Sequence, residues 1–129
     1  MSVESAVFTP DGKKLITSGG DRFVRVWDAA GGQPIHKMEG HTGNVRGLSL
    51  LPGGKRVLSS SADKTVKMWN VETGELLRTY EGHTAYVTNV AALPNGRRFL
   101  SATSEGDIWL WDVDDRNRRP FGRAATFVT

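Results

Sequence analysis

The sequence predicts an all-β chain of three four-stranded antiparallel meanders, packed face to face in a radial or stacked array. Three observations predict it: a repeat of fixed length, short segments of period-two patterning within each repeat, and glycine and proline at the same offsets between them. Trp27, Trp69 and Trp111 are separated by 42 residues twice in succession, and His41 and His83 keep the same spacing. So do Pro10, Pro52 and Pro94, Gly12, Gly54 and Gly96, and Val3, Val45 and Val87. A recurrence at this period marks a chain of stacked supersecondary units. The units are read as 3–44, 45–86 and 87–128. The first two share thirteen identical positions, and the second and third share ten, nine of them before residue 72, so the tail of the third has diverged.

The second unit justifies the elements in order. Strand a is expected at 45–50, a turn at 51–54 around Pro52-Gly53-Gly54, and strand b at 56–60. A turn around 62–64 leads to strand c at 65–70, where Thr65, Val66, Met68 and Trp69 supply the β-branched and large side chains that suit a half-buried pleated surface. A turn at 71–74 and strand d at 76–80 complete the unit. In the third unit Val87-Thr88-Asn89-Val90-Ala91-Ala92 runs into Pro94-Asn95-Gly96, again strand then turn. No helical stripe is needed anywhere. A sheet of this size with two apolar faces is marginal alone, so its neighbours must cover it.

Composition narrows the function classes. At 129 residues, with 38% hydrophobic and 24% charged side chains, the chain has the make-up of one folded domain. Seventeen basic against fourteen acidic residues leave a net charge of +3, too small an excess to argue for nucleic acid. The absence of cysteine excludes disulfides, thiol nucleophiles and cysteine-ligated zinc. Met1-Ser2-Val3-Glu4 leads straight into patterned sequence, without the basic start and apolar stretch of a signal peptide, and no apolar run has membrane-spanning length. The expectation is a cytoplasmic protein with no membrane partner.

Gly40-His41 and Gly82-His83, the turn aspartate Asp63, and the pairs Trp27-Asp28, Trp69-Asn70 and Trp111-Asp112 resemble the WD-repeat β-propeller family over essentially the whole chain. The resemblance implies that each unit is a propeller blade and that His41, Ser59, Asp63 and Trp69 form a hydrogen-bonded structural tetrad. It implies a second tetrad of His83, Ser101, Glu105 and Trp111, with a longer carboxylate, and a partial one of Thr17, Asp21 and Trp27, ahead of which only Met1 and Ser2 stand. Ala125 lies where a fourth Gly-His would fall. His41, Ser59 and Asp63 contain the atoms of a hydrolytic triad. A nucleophile, however, needs an exposed hydroxyl on a sharp strand-to-helix turn, and this unit has none. An enzyme is therefore disfavoured. No cofactor is implied, and no cluster of histidines and carboxylates has the spacing of a metal site.

Closed propellers hold about four to eight blades. Three blades leave two sheet faces to be covered, so the expectation is completion by copies of the same chain. A homodimer giving a six-bladed ring is favoured over a homotrimer giving nine, with a longer parent chain as the remaining alternative. At the end of the third unit Arg116-Asn117-Arg118-Arg119-Pro120-Phe121 shows no clean strand in register, and the fourth strand is expected at 124–128, or 126–128 begins a following blade. Arg116, Arg118, Arg119 and Arg123 are read as a solvated outer loop rather than a phosphate site. Trp109 is expected to pack between blades, and His36 to be an exposed side chain of strand d. Gly20, Gly43 and Gly106 are read as turn residues. In the family, ligands meet the face formed by the d–a loops and b–c turns, and the matching positions here are Asn44, Arg46, Ala62, Tyr86, Thr88 and Ser104. The favoured function is a noncatalytic protein-interaction scaffold made by self-assembly, binding another protein or a peptide. The alternative is a fragment or engineered assembly protein with no native ligand.

Overall fold

Alternating side chains and left-handed turn residues fold the described residues into strands and the turns between them. The structure, a computed structural model, describes residues 2–114 and the backbone of strand 118–123. Among these residues the first sheet contains β1 (Val3–Phe8), β2 (Lys14–Gly19), β3 (Val24–Asp28) and β4 (Pro34–Met38). The second contains β5 (Val45–Leu50), β6 (Arg56–Ser61), β7 (Val66–Asn70) and β8 (Leu76–Tyr80). The third contains β9 (Val87–Ala92), β10 (Arg98–Thr103), β11 (Asp107–Asp112) and β12 (Arg118–Arg123). Each sheet is an antiparallel meander in chain order, none closed into a barrel. The sheets also follow chain order in space: β1 packs against β5, and β5 against β9.

Two apolar layers join the three sheets. Ile16, Val24, Val26 and Met38 of the first sheet meet Val45, Leu48, Val57 and Trp69 of the second. Leu58, Val66, Met68 and Tyr80 on the opposite face of the second sheet meet Val87, Val90, Phe99 and Trp111 of the third. The strand period of two makes this possible, because it sends neighbours such as Met68 and Trp69 to opposite faces and so into different layers. The buried Tyr80 hydroxyl donates to the Val113 carbonyl across the second layer.

The recurring proline and glycine have a shared packing role. Gly54 has φ of +73°, and a Cβ placed on it would stand 2.5 Å from Pro10 Cδ of the preceding unit. The turn therefore needs both the backbone freedom and the bare Cα of glycine. Pro52 also stands against Gly96, but more loosely, 3.5 Å from a Cβ placed there, so at Gly96 the φ of +72° alone favours glycine.

The third unit's tail differs from expectation. Its fourth strand is Arg118–Arg123, and the 124–128 segment lies outside the described residues. Arg118, Arg119 and Arg123 are thus strand residues rather than parts of a loop. Pro120 stands opposite Trp109, and the pairing slips between Ile108 and Trp109, whereas in the first two sheets it slips between Val26 and Trp27 and between Met68 and Trp69. A residue with no N–H is tolerated at such an irregularity on an edge strand, which is why the proline does not end the sheet. His36 is also not simply exposed. It is half-buried, with Nε2 2.7 Å from the Glu72 carbonyl of the next sheet and its ring against Gly74. Arg78, one repeat later, donates to the Asp114 carbonyl in the same way.

Candidate interaction face and the buried relay

The second sheet brings its four polar residues into one chain of hydrogen bonds. Trp69 Nε1 donates to Ser59 Oγ at 2.8 Å, His41 Nε2 lies 2.6 Å from the same oxygen, and His41 Nδ1 lies 2.8 Å from Asp63 Oδ2. Asp63 also accepts the N–H of Thr42 and both the N–H and hydroxyl of Thr65. Burial pushes the Asp63 pKa up, but the bonds from His41, Thr65 and Thr42 outweigh it and hold the carboxyl well below its ordinary range. The serine is fully buried and its hydroxyl is engaged by tryptophan and histidine. Such an arrangement satisfies a buried indole N–H and carries the polar contacts outward to the carboxylate. It presents no exposed nucleophile.

In the third sheet Trp111 Nε1 donates to Ser101 Oγ at 2.7 Å and His83 Nε2 lies 2.6 Å from that oxygen. Glu105 takes the position of Asp63 and is exposed. Trp109 is half-buried against the layer between the second and third sheets, its ring 5.9 Å from His83. In the first sheet Trp27 Nε1 donates to Thr17 Oγ1 at 2.8 Å, and Asp21 pairs with Arg25.

The face expected to meet a partner is organised by two backbone devices. The residue before each strand a accepts an N–H from the following b–c turn: Ala62 N–H donates to Asn44 O, and Ser104 N–H to Tyr86 O, both at 2.9 Å. These bonds bring Asn44 beside Ala62 and Tyr86 beside Ser104. The second device is a β-bulge. In β5 the register passes from Val45 opposite Ser61 to Gly47 opposite Ser60, leaving Arg46 as the extra residue, and Thr88 is the extra residue of β9. Bulges re-aim a side chain out of the ladder. Arg46 is exposed, and its guanidinium lies 5.9 Å from the ring centre of Tyr86, itself 49% exposed. Thr88 is half-buried, as are Asn44 and Ala62, and it spends its hydroxyl on the Ala102 carbonyl of its own sheet.

Sequence reasoning missed Lys64. It is exposed at the tip of the b–c turn with φ of +77°, and it lines a shallow cavity of about 250 Å³ with Thr84, Tyr86 and Ser104. The signal was present, because Gly106 holds the same repeat position and also has positive φ. Among the described residues no group of three or more histidines and carboxylates is placed to hold a metal ion. No helix of the described residues is long and apolar enough to cross a membrane.

Residues 1–28, 32–70 and 74–112 each match the family "WD domain, G-beta repeat". The chain is similar to a probable serine/threonine-protein kinase PkwA of Thermomonospora curvata, 43% identical over 42 residues, which are 33% of this chain and 6% of that protein. It is also similar to the U5 small nuclear ribonucleoprotein 40 kDa protein of Mus musculus and of Homo sapiens, 40% identical over 38 residues in each case, 30% of this chain and 11% of theirs. The matched stretches are thus small parts of much longer relatives. With three in-register matches covering most of its length, each of the last two running from the fourth strand of one sheet through the first three of the next, the chain belongs to the WD-repeat family.

Proposed function

We propose that this protein is a noncatalytic protein-interaction scaffold, whose units 3–44, 45–86 and 87–128 act as blades completed into a ring by further copies of the chain. One contrast carries the reading. Trp69 and Trp111 are each 1% exposed under a neighbouring sheet, whereas Trp27, at the same repeat position, is half-buried. Val3 is 70% exposed where Val45 and Val87 are fully buried, and Leu100, Ile108 and Leu110 at the other end are only partly covered. The two end faces bear the same residue types that seal the two internal layers, so one copy's first sheet suits another's third. Mass measurement in solution tests this: a particle of about twice 14.1 kDa supports a six-bladed pair and about three times a nine-bladed trimer. A stable single-chain particle at every concentration overturns closure by copies.

The partner surface in this reading is the corner made by Arg46, Lys64 and Tyr86. Tyrosine and arginine bury large areas while keeping a polar tip, the behaviour of interface anchors. The doubly substituted Arg46→Ala/Tyr86→Ala chain, folded by circular dichroism, is expected to lose capture of a bound protein or peptide. Unchanged capture overturns the assignment of this face.

A further inference from the structure

The two internal joints show which inner-strand residues meet when one sheet packs on the next. At the second joint Ser49 of β5 faces β9, where its Oγ accepts the Ala92 N–H at 2.9 Å. At the first joint the same repeat positions are held by Val7 of β1 and Leu50 of β5, which pack on the apolar layer between their sheets. One repeat on from Ser49 is Ala91, and one repeat back from Leu50 is Phe8. Alternation along the strand places both on the outer faces of the chain. Ala91 points away from its neighbour Val90, which is buried in the second layer, and Phe8 away from Val7, which packs on the first.

The two positions are matched in size, and a single chain leaves the match unused. Phe8 is 61% exposed, whereas Leu50 and Ala92 at the same repeat position are half-buried. Ala91 is exposed, whereas Val7 and Ser49 are half-buried. Around Ala91 the third sheet carries an open cavity of about 200 Å³, lined by Ala91, Leu100, Ala102 and Ile108 among others. That is room for an aromatic ring, since an apolar cavity of about 150 Å³ admits benzene. The internal pairs set medium against medium, Val7 with Leu50, and small against small, Ser49 with Ala92. The outer pair sets small against large. The turn glycines agree on the register: Pro10 meets Gly54 and Pro52 meets Gly96, while Gly12, one repeat earlier, has nothing within 4 Å, and the same docking brings Pro94 to it.

We propose that Phe8 of one copy seats in the cavity beside Ala91 of a second copy, and that this contact sets the register in which β9 of one chain meets β1 of the next. The seat presupposes the closure by copies proposed above and specifies its contact. Within one chain the ring cannot reach the seat, because β5 stands between β1 and β9. Moving an exposed phenylalanine out of water strengthens each joint by about tenfold or more.

The test follows self-association by sedimentation velocity over a range of chain concentrations. Phe8→Ala is expected to weaken it about tenfold at each joint, and Ala91→Phe, which blocks the seat, by at least as much. Both positions are exposed in the single chain, so circular dichroism and the emission of the buried Trp69 and Trp111 are expected to be unchanged. The Phe8→Ala/Ala91→Phe chain, which moves the ring from one face of the joint to the other, is expected to recover most of the loss. Association of Phe8→Ala as strong as that of the unsubstituted chain, or a double variant no better than the single ones, overturns the seat and leaves closure by copies standing. An unsubstituted chain that is a single particle at every concentration overturns both.

Discussion

Replacing His41 with alanine isolates what the buried relay contributes to stability. The side chain is completely buried and makes two ring-nitrogen contacts, to Ser59 at 2.6 Å and Asp63 at 2.8 Å, with its ring centre 6.1 Å from that of Trp69. Losing the bond to the carboxylate costs about 1.5–3 kcal/mol and the bond to the hydroxyl about 1 kcal/mol. The space left beside Trp69 adds roughly 1–2 kcal/mol. These terms overlap, since the neighbours relax together, and the expected total is about 3 kcal/mol. With a urea dependence of about 2 kcal/mol per molar, the unfolding midpoint falls by roughly 1.5 M. Tryptophan fluorescence at matched chain concentration measures it, the matching being needed because association would make stability depend on concentration. His36→Ala is the control: it removes one contact to the Glu72 carbonyl and should cost about 0.5–1 kcal/mol. The double-mutant cycle with Asp63→Ala should return a coupling of about 1–3 kcal/mol. A His41→Ala loss no larger than that of His36→Ala, or a coupling near zero, would refute the reasoning.

Three further outcomes are expected. Lys64→Gly should stabilise the fold by about 0.5–1 kcal/mol, because a lysine at φ of +77° bears the left-handed penalty that Gly106 avoids at the equivalent turn; thermal unfolding of the two chains decides it. Acid should act through Asp63. Its folded-state pKa lies below the ordinary 3.8, so its stabilisation is complete above about pH 4 and is lost as pH falls below that; between about pH 4 and 2 the native chain should lose stability more steeply than Asp63→Asn in parallel urea titrations. Ser18 and Ser60 hold equivalent positions, but Ser18 Oγ donates to the Val45 carbonyl at 3.1 Å while the buried Ser60 Oγ has no hydrogen-bond partner among the described residues. Ser18→Ala should therefore cost about 0.5–1.5 kcal/mol and Ser60→Ala be neutral or stabilising, as urea midpoints would show.

The residues legible in advance were those whose role is local. The strands around Trp69 and Ser59 follow from a repeated pattern, because side-chain alternation and turn chemistry act over a few residues, while the pairing of the two side chains was implied by the family resemblance. Arg46 could be named as a surface position, but not as a bulge residue, since a bulge depends on the register between β5 and β6. The tail of the third unit was misplaced for a related reason. A proline scores against a strand when read alone, and only pairing with β11 shows an edge position where its missing N–H is tolerated.

Sequence alone determined the repeat length, the all-β class and the polar residues of each unit, because the same short-range forces act on the same residue types every 42 positions. Tertiary structure decided what three nearly equal units do differently. Trp27, Trp69 and Trp111 carry the same donor to the same kind of hydroxyl, yet Trp69 and Trp111 are sealed and Trp27 is half-open, because burial belongs to the neighbouring sheet and not to the residue. For the same reason Asp63 faces a histidine and Asp21 an arginine: the partner of a carboxylate is whichever group the packing brings to its oxygen.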